Sequence, residues 1–125
     1  MKKNIVTPLY LSAFCLELST VLSAGIPLSE GLFMLYNDDN DKDSKEIIGE
    51  LYKKTEEGKS LFEALESSGA FPRYMCDVVE LCEKTGDLDN SLLALSKYYE
   101  RQAFLARRIK STVFYPLILV FYYDL

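Results

Sequence analysis

Residues 58–65 read Gly58-Lys59-Ser60-Leu61-Phe62-Glu63-Ala64-Leu65. Glycine reaches the left-handed backbone conformation without a Cβ penalty, so Gly58 suits the end of a helix. Ser60 offers a hydroxyl to the free N–H groups that open the next helix. Glu63 places a carboxylate near that helix's positive end. Leu61 and Leu65 share a helix face and turn it toward a core. The stretch is therefore a joint between two helices. Residues 25–32 repeat it as Gly25-Ile26-Pro27-Leu28-Ser29-Glu30-Gly31-Leu32, with proline as the opener. Any antiparallel bundle needs such joints. Two copies fall short of the three or more that a solenoid takes.

Outward from these joints, apolar residues recur at helical intervals. Thr7-Pro8 is an N-cap followed by proline at the first helical position. Leu11, Phe14, Leu18, Val21 and Leu22 then form one stripe, closed by Gly25. A second helix runs from Pro27 to about Tyr36, with Leu28, Leu32 and Leu35 on one face. Asn37 to Asp43 is a polar, acidic loop, and Ser44 is expected to cap a third helix carrying Ile47, Ile48 and Leu51. Ser60 caps a short fourth helix that Gly69 breaks. Pro72 opens a fifth, with Met75, Val78, Val79 and Cys82 inward, and Gly86 stops it. The last begins near Asp87 to Asp89, carries Leu92, Leu95, Tyr99 and Ala103, and is expected to run on unbroken. No segment alternates with period two for long enough to be a strand. The expected fold is all-α, a compact antiparallel bundle of about six helices with short connections. Its expected core holds Phe14, Leu18, Leu22, Leu32, Leu51, Leu61, Leu65, Val78, Val79, Leu92, Leu95 and Tyr99. Gly25 and Gly86 are expected at positive φ.

The chain has 125 residues, 49% hydrophobic, which suits one folded domain. Its formal net charge of −5 argues against a nucleic-acid binder, which normally presents a basic face. There is no histidine, so the commonest general base and zinc ligand is missing. No Gly-rich phosphate loop, G-x-S-x-G or nucleophile–base pair appears, and neither an enzyme nor a cofactor is expected. Cys15, Cys76 and Cys82 form no C-x-x-C pair and read as small buried hydrophobes in a reducing compartment. Met1-Lys2-Lys3 ahead of the apolar stretch imitates a signal peptide. Thr7-Pro8 and Glu17 interrupt that stretch, which reads as mature helix.

The C-terminal run Thr112 to Tyr123 is apolar and uncharged. It is shorter than the roughly 20 residues a membrane helix takes. It is either a buried core segment or the start of a membrane helix. Arg101, Arg107, Arg108 and Lys110 directly before it favour the membrane and place the preceding domain in the cytoplasm. The division expected is a cytoplasmic bundle over 1–110 and the truncated start of a first transmembrane helix over 111–125.

Two acidic groups are candidate sites. Asp39, Asp41, Asp43 and Glu50 fall at positions 1, 3, 5 and 12 of the calcium-loop pattern, whose carboxylates wrap a hard cation with oxygen. The glycine that shapes such a loop is replaced by Ser44, and the plainer reading is a solvated connection that caps a helix. Glu83, Asp87 and Asp89 form the second group, a candidate partner-docking surface, with Asp87 or Asp89 also placed to cap the last helix.

The joints, in their order, resemble the type II secretion F-protein family, the inner-membrane platform proteins of secretion, type IV pilus and competence machines. Ala24 to Leu32 resembles the family's AGIPL-x-E-x-L, and Gly58 to Leu65 its G-x-S-L-x-E-A-L. Phe71-Pro72, Glu83 to Asp89, Tyr98-Tyr99-Glu100 and Tyr115-Pro116 follow in family order. Cys82 departs from the usual glycine, and Asn90-Ser91 from the commoner Glu-Ala. The resemblance covers about residues 11 to 120. It implies a non-enzymatic domain at the cytoplasmic face of the bacterial inner membrane. It further implies docking to a cytoplasmic assembly ATPase and other inner-membrane assembly proteins, and self-association. Two other readings stay open: a calcium-binding module built on residues 39–50, and a small helical regulator that binds a partner helix.

Overall fold

Six helices follow the six apolar stripes. In the computed structural model they are α1 (Pro8–Ser23), α2 (Leu28–Asp38), α3 (Lys42–Glu56), α4 (Leu61–Ser68), α5 (Arg73–Thr85) and α6 (Leu88–Tyr123). The structure describes residues 6–123, with side chains for 6–105. Among the described residues there is no strand. The helices pack in chain order, α1 on α2 through α5 on α6, and α1 also packs along α6, so the circuit closes. Ser19, late in α1, donates to the Asp89 carbonyl at the start of α6 at 2.9 Å, which sets those two helices antiparallel. Phe33 against Tyr52 does the same for α2 and α3.

Local chemistry explains each boundary. The Thr7 hydroxyl accepts from the Tyr10 N–H at 3.1 Å, with Pro8 opening α1. At its other end Gly25 has φ +86°, as expected. The Gly25 N–H returns to the Leu22 carbonyl and the Ile26 N–H to that of Val21. This paired cap satisfies carbonyls that the helix leaves free. The same pair recurs at Gly58 and at Gly86, whose φ is +76°.

The third helix departs from expectation. Asp41, not Ser44, is its N-cap, accepting from the N–H groups of Asp43 at 2.9 Å and Ser44 at 3.0 Å. A carboxylate is a stronger acceptor than a hydroxyl, and it starts the helix earlier. Ser44 instead lies buried in the first turn, its hydroxyl between the Tyr10 hydroxyl at 2.7 Å and the Asp39 carboxylate.

Every helix contributes to one core. Leu18, Leu32, Ile47, Leu51, Leu61, Leu65, Val79 and Leu92 are fully enclosed, each contributing about 1.5–3 kcal/mol by leaving water. Phe71 closes one end against Phe14, ring centres 5.5 Å apart. Leu22 and Val78 depart from the expected core and are only half-buried. Leu22 lies in the last turn of α1, beside the first joint. On α5, Met75, Cys76 and Val79 turn inward, which leaves Val78 and Cys82 along the α5–α6 crevice with Tyr74 and Tyr98.

Candidate functional site

The second acidic group runs from the contact of α5 with α4 through the turn that leads from α5 into α6. α4 has only 8 residues, below the length at which a helix holds itself in water. Its opening N–H groups are all satisfied. The Ser60 N–H donates to Glu63 Oε1 at 3.2 Å and the Glu63 N–H to Ser60 Oγ at 3.0 Å, a reciprocal capping box. The two between them go to another helix. Leu61 donates to Glu83 Oε2 and Phe62 to Glu83 Oε1, each at 2.8 Å. One carboxylate from the end of α5 thus grips the positive end of α4 with both oxygens. The bonds from the Ser60 N–H and hydroxyl hold the Glu63 carboxyl below its usual range.

The other two members of the group lie at the rim. Asp87 is exposed and takes the N-cap position of α6, its carbonyl accepting from the Ser91 N–H at 3.1 Å and the Ser91 hydroxyl at 2.6 Å. Its carboxylate accepts from the Asn90 side-chain amide at 2.8 Å. Asp89 is half-exposed, and its carboxylate meets the Ser23 hydroxyl at 3.5 Å. The structure therefore brings Glu83, Asp87 and Asp89 to one end of the bundle, with Glu83 bound internally and Asp87 facing solvent.

The loop group is arranged as caps. Asp39 Oδ1 accepts from the Asp41 N–H at 2.9 Å, and Asp41 Oδ1 serves two more N–H groups. Glu50 lies two turns into α3. Among the described residues no three His, Cys, Asp or Glu side chains are placed to hold a metal ion together. Burial pushes the Cys15 thiol up to about 12, away from the thiolate form that reacts. Cys15, Cys76 and Cys82 are all free thiols.

The sequence model of the family described as "Type II secretion system (T2SS), protein F" matches residues 14–122. The chain belongs to the type II secretion system protein F family. Among similar proteins is the type IV pilus assembly protein TapC of Aeromonas hydrophila, 28% identical over 92% of this chain and 28% of its own length. The type IV pilus assembly protein PilC of Thermus thermophilus is 31% identical over 86% of this chain and 27% of its own length. The type II secretion system protein F of Xanthomonas campestris pv. campestris is 30% identical over 86% and 27%. The chain thus spans under a third of the length of these relatives.

In this protein F family member the fold gives two of the resembling stretches a shared physical cause. Ser60 to Glu63 and Glu83 look like separate motifs in the chain, yet they form one clasp. Sequence reading found Glu83 but not its partner, because the contact joins positions 22 and 21 residues apart. It also missed Glu17, which reads as a polar interruption of α1. In the fold Glu17 faces Asp38 and Asp39 across a cleft. The only sign of this was its helical spacing from Tyr10, Ala13 and Phe14. Among the described residues no helix is long and apolar enough to cross a membrane. The run 112–123 lies outside the residues whose side chains are described.

Proposed function

We propose that this chain is a docking module of an inner-membrane platform protein in a type II secretion or type IV pilus machine. The observation that carries the reading is the family match over 14–122 on a six-helix bundle. In this reading the bundle of residues 1–110 faces the cytoplasm. The segment 111–125 enters the bacterial inner membrane behind Arg101, Arg107, Arg108 and Lys110, which favour the cytoplasmic side. α6 suits a mechanical role, since one helix of 36 residues links the bundle to its far end with a stiff rise of about 1.5 Å per residue. The absence of any histidine from the sequence agrees with a non-enzymatic task.

The partners proposed are the cytoplasmic assembly ATPase, other inner-membrane assembly proteins and further copies of this chain. Asp87 and Asp89 would meet the ATPase and the other assembly proteins, with Glu83 holding that end of the bundle in shape. The test is Asp87→Lys with Asp89→Lys in the protein as expressed by its host. The expected result is reduced co-purification of the ATPase and reduced pilus or secretion output from a folded protein. Normal recovery and output would remove the surface. Normal assembly after deletion of residues 1–110 would remove the docking function.

A further inference from the structure

Two surfaces of the bundle are complementary. The first is a cleft of about 370 Å³ between α1 and the α2–α3 joint. Phe14, Leu35 and Ile48 form its floor, each almost wholly buried. Glu17, Asp38, Asp39 and Asp41 stand on its rim, and among the described residues no Lys or Arg lines it. Asp39 and Asp41 spend oxygens on N–H groups of the joint. The Glu17 and Asp38 carboxylates have no hydrogen bond among the described residues. Partial burial, then the charges of Asp39 and Asp38, push the Glu17 carboxyl up. Among the described residues the cleft is an apolar floor under negative charge that no cation faces.

The second surface is on α6. Lys97, Arg101, Phe104 and Leu105 follow at intervals of four, three and one, which places them on one helix face. That face is opposite the buried Leu92, Leu95 and Tyr99. All four are exposed, Phe104 at 59% and Leu105 at 49%. Glu100 is the one acid beside them, and the sequence continues with Arg107, Arg108 and Lys110. An exposed phenylalanine and leucine between cations have the chemistry that the cleft lacks.

The two surfaces also lie at one level of the bundle. Leu9 and Ser12 of α1 share a crevice with Arg101 and Phe104, while Tyr10, Ala13 and Glu17 of the same helix line the cleft. They look out from different sides of α1, so a copy cannot satisfy its own cleft. Any meeting of the two surfaces is therefore between separate copies.

We propose that the cleft of one copy receives the Lys97–Leu105 face of a second copy, with Glu17 and Asp38 pairing with Lys97 and Arg101, and Phe104 or Leu105 entering over Phe14. The contact is heterologous, so it builds a ring or an open row, not an isologous pair. It rests on the self-association part of the platform reading and names its surface.

The experiment is sedimentation of the full chain in a non-ionic detergent at low and high salt. The unaltered chain associates, and 1 M salt weakens the contact, since ion pairs are screened. Glu17→Lys with Asp38→Lys raises the dissociation constant about tenfold or more. Lys97→Glu with Arg101→Glu does the same. Mixing the two reversed chains restores association, because each supplies the face the other lost. Leu105→Ser weakens association with no change of charge. Circular dichroism checks that each variant stays helical. Association that the reversals leave untouched overturns this surface while self-association survives. No association of the unaltered chain overturns both. If association is untouched while the Lys97→Glu, Arg101→Glu chain loses binding to phosphatidylcholine–phosphatidylglycerol vesicles, the α6 face serves a lipid surface and the proposal fails.

Discussion

At the first joint, Gly25 to Leu32, Pro27 opens α2 with no side-chain hydrogen bond. At the second, Gly58 to Leu65, Ser60, Glu63 and Glu83 satisfy the N–H groups of residues 60–63. The two stretches share a pattern, and they close the preceding helix with the same pair of bonds. They open the next one by different means. Proline has no N–H to leave unsatisfied, and its fixed φ already suits a helix. For the same reason Glu30 has no N–H at the cap to bond, so the reciprocal box of the second joint cannot form at the first. The first joint gains closeness instead: a Cβ on Gly31 would come within 2.8 Å of a Val21 methyl. A repeat in sequence is therefore a repeat of the helix ending, while each beginning is made by its own neighbours.

The leucines give the largest expected contrast. Leu61 has no exposure, while its counterpart Leu28 is half-buried. Leu61→Ala should cost about 2–5 kcal/mol in urea unfolding and Leu28→Ala about 1 kcal/mol. Equal losses would mean that the two joints bury their first leucines alike. Next comes the clasp. Glu83→Gln keeps the shape and removes the charge, and should cost about 1–3 kcal/mol, as expected for bonds to a charged acceptor. No measurable loss would reduce the second joint to its local capping box.

The small residues at the same pattern position come third. Gly31→Ala should lose about 1 kcal/mol net, because crowding of Val21 outweighs the gain in helix propensity. Ala64→Gly should lose about 1–2 kcal/mol by the opposite route. Stabilisation by Gly31→Ala would show that Val21 moves aside freely. The smallest effect is pH-dependent. The Glu63 carboxyl is held low in the fold, so its contribution is present above the unfolded value of about 4.3 and is lost as pH falls through the lower folded value. The difference in Tm between the unaltered chain and Glu63→Gln should close between about pH 5 and pH 3. A gap that persists in acid would assign it to packing.

These contrasts mark what the sequence could convey. Gly25, Gly86, Thr7 and Ser60 act within a few residues of themselves, and their reading carries over to the fold. The Glu83 bonds to α4 and the approach of Glu17 to Asp38 depend on how helices meet, and no local spacing encodes that. Ser44 shows a nearer failure: two good cap residues stood three apart, and the stronger acceptor won. Val78 shows another, since a rotation of α5 by part of a turn decides which of two adjacent valines is enclosed. Tyr99 was expected inside and is there, but its hydroxyl finds no partner among the described residues. Such a group costs stability unless water reaches it.

The Glu83 clasp also supplies a clock. Amide protons at the start of a helix usually exchange with solvent within the fraying time of the first turn. Those of Leu61 and Phe62 are held by a residue of another helix. Their exchange therefore times the separation of α5 from α4, not the fraying of α4. Two deuterium uptake rates, read against that of Glu63 next door, would report how often this corner of the bundle opens while the rest stays shut.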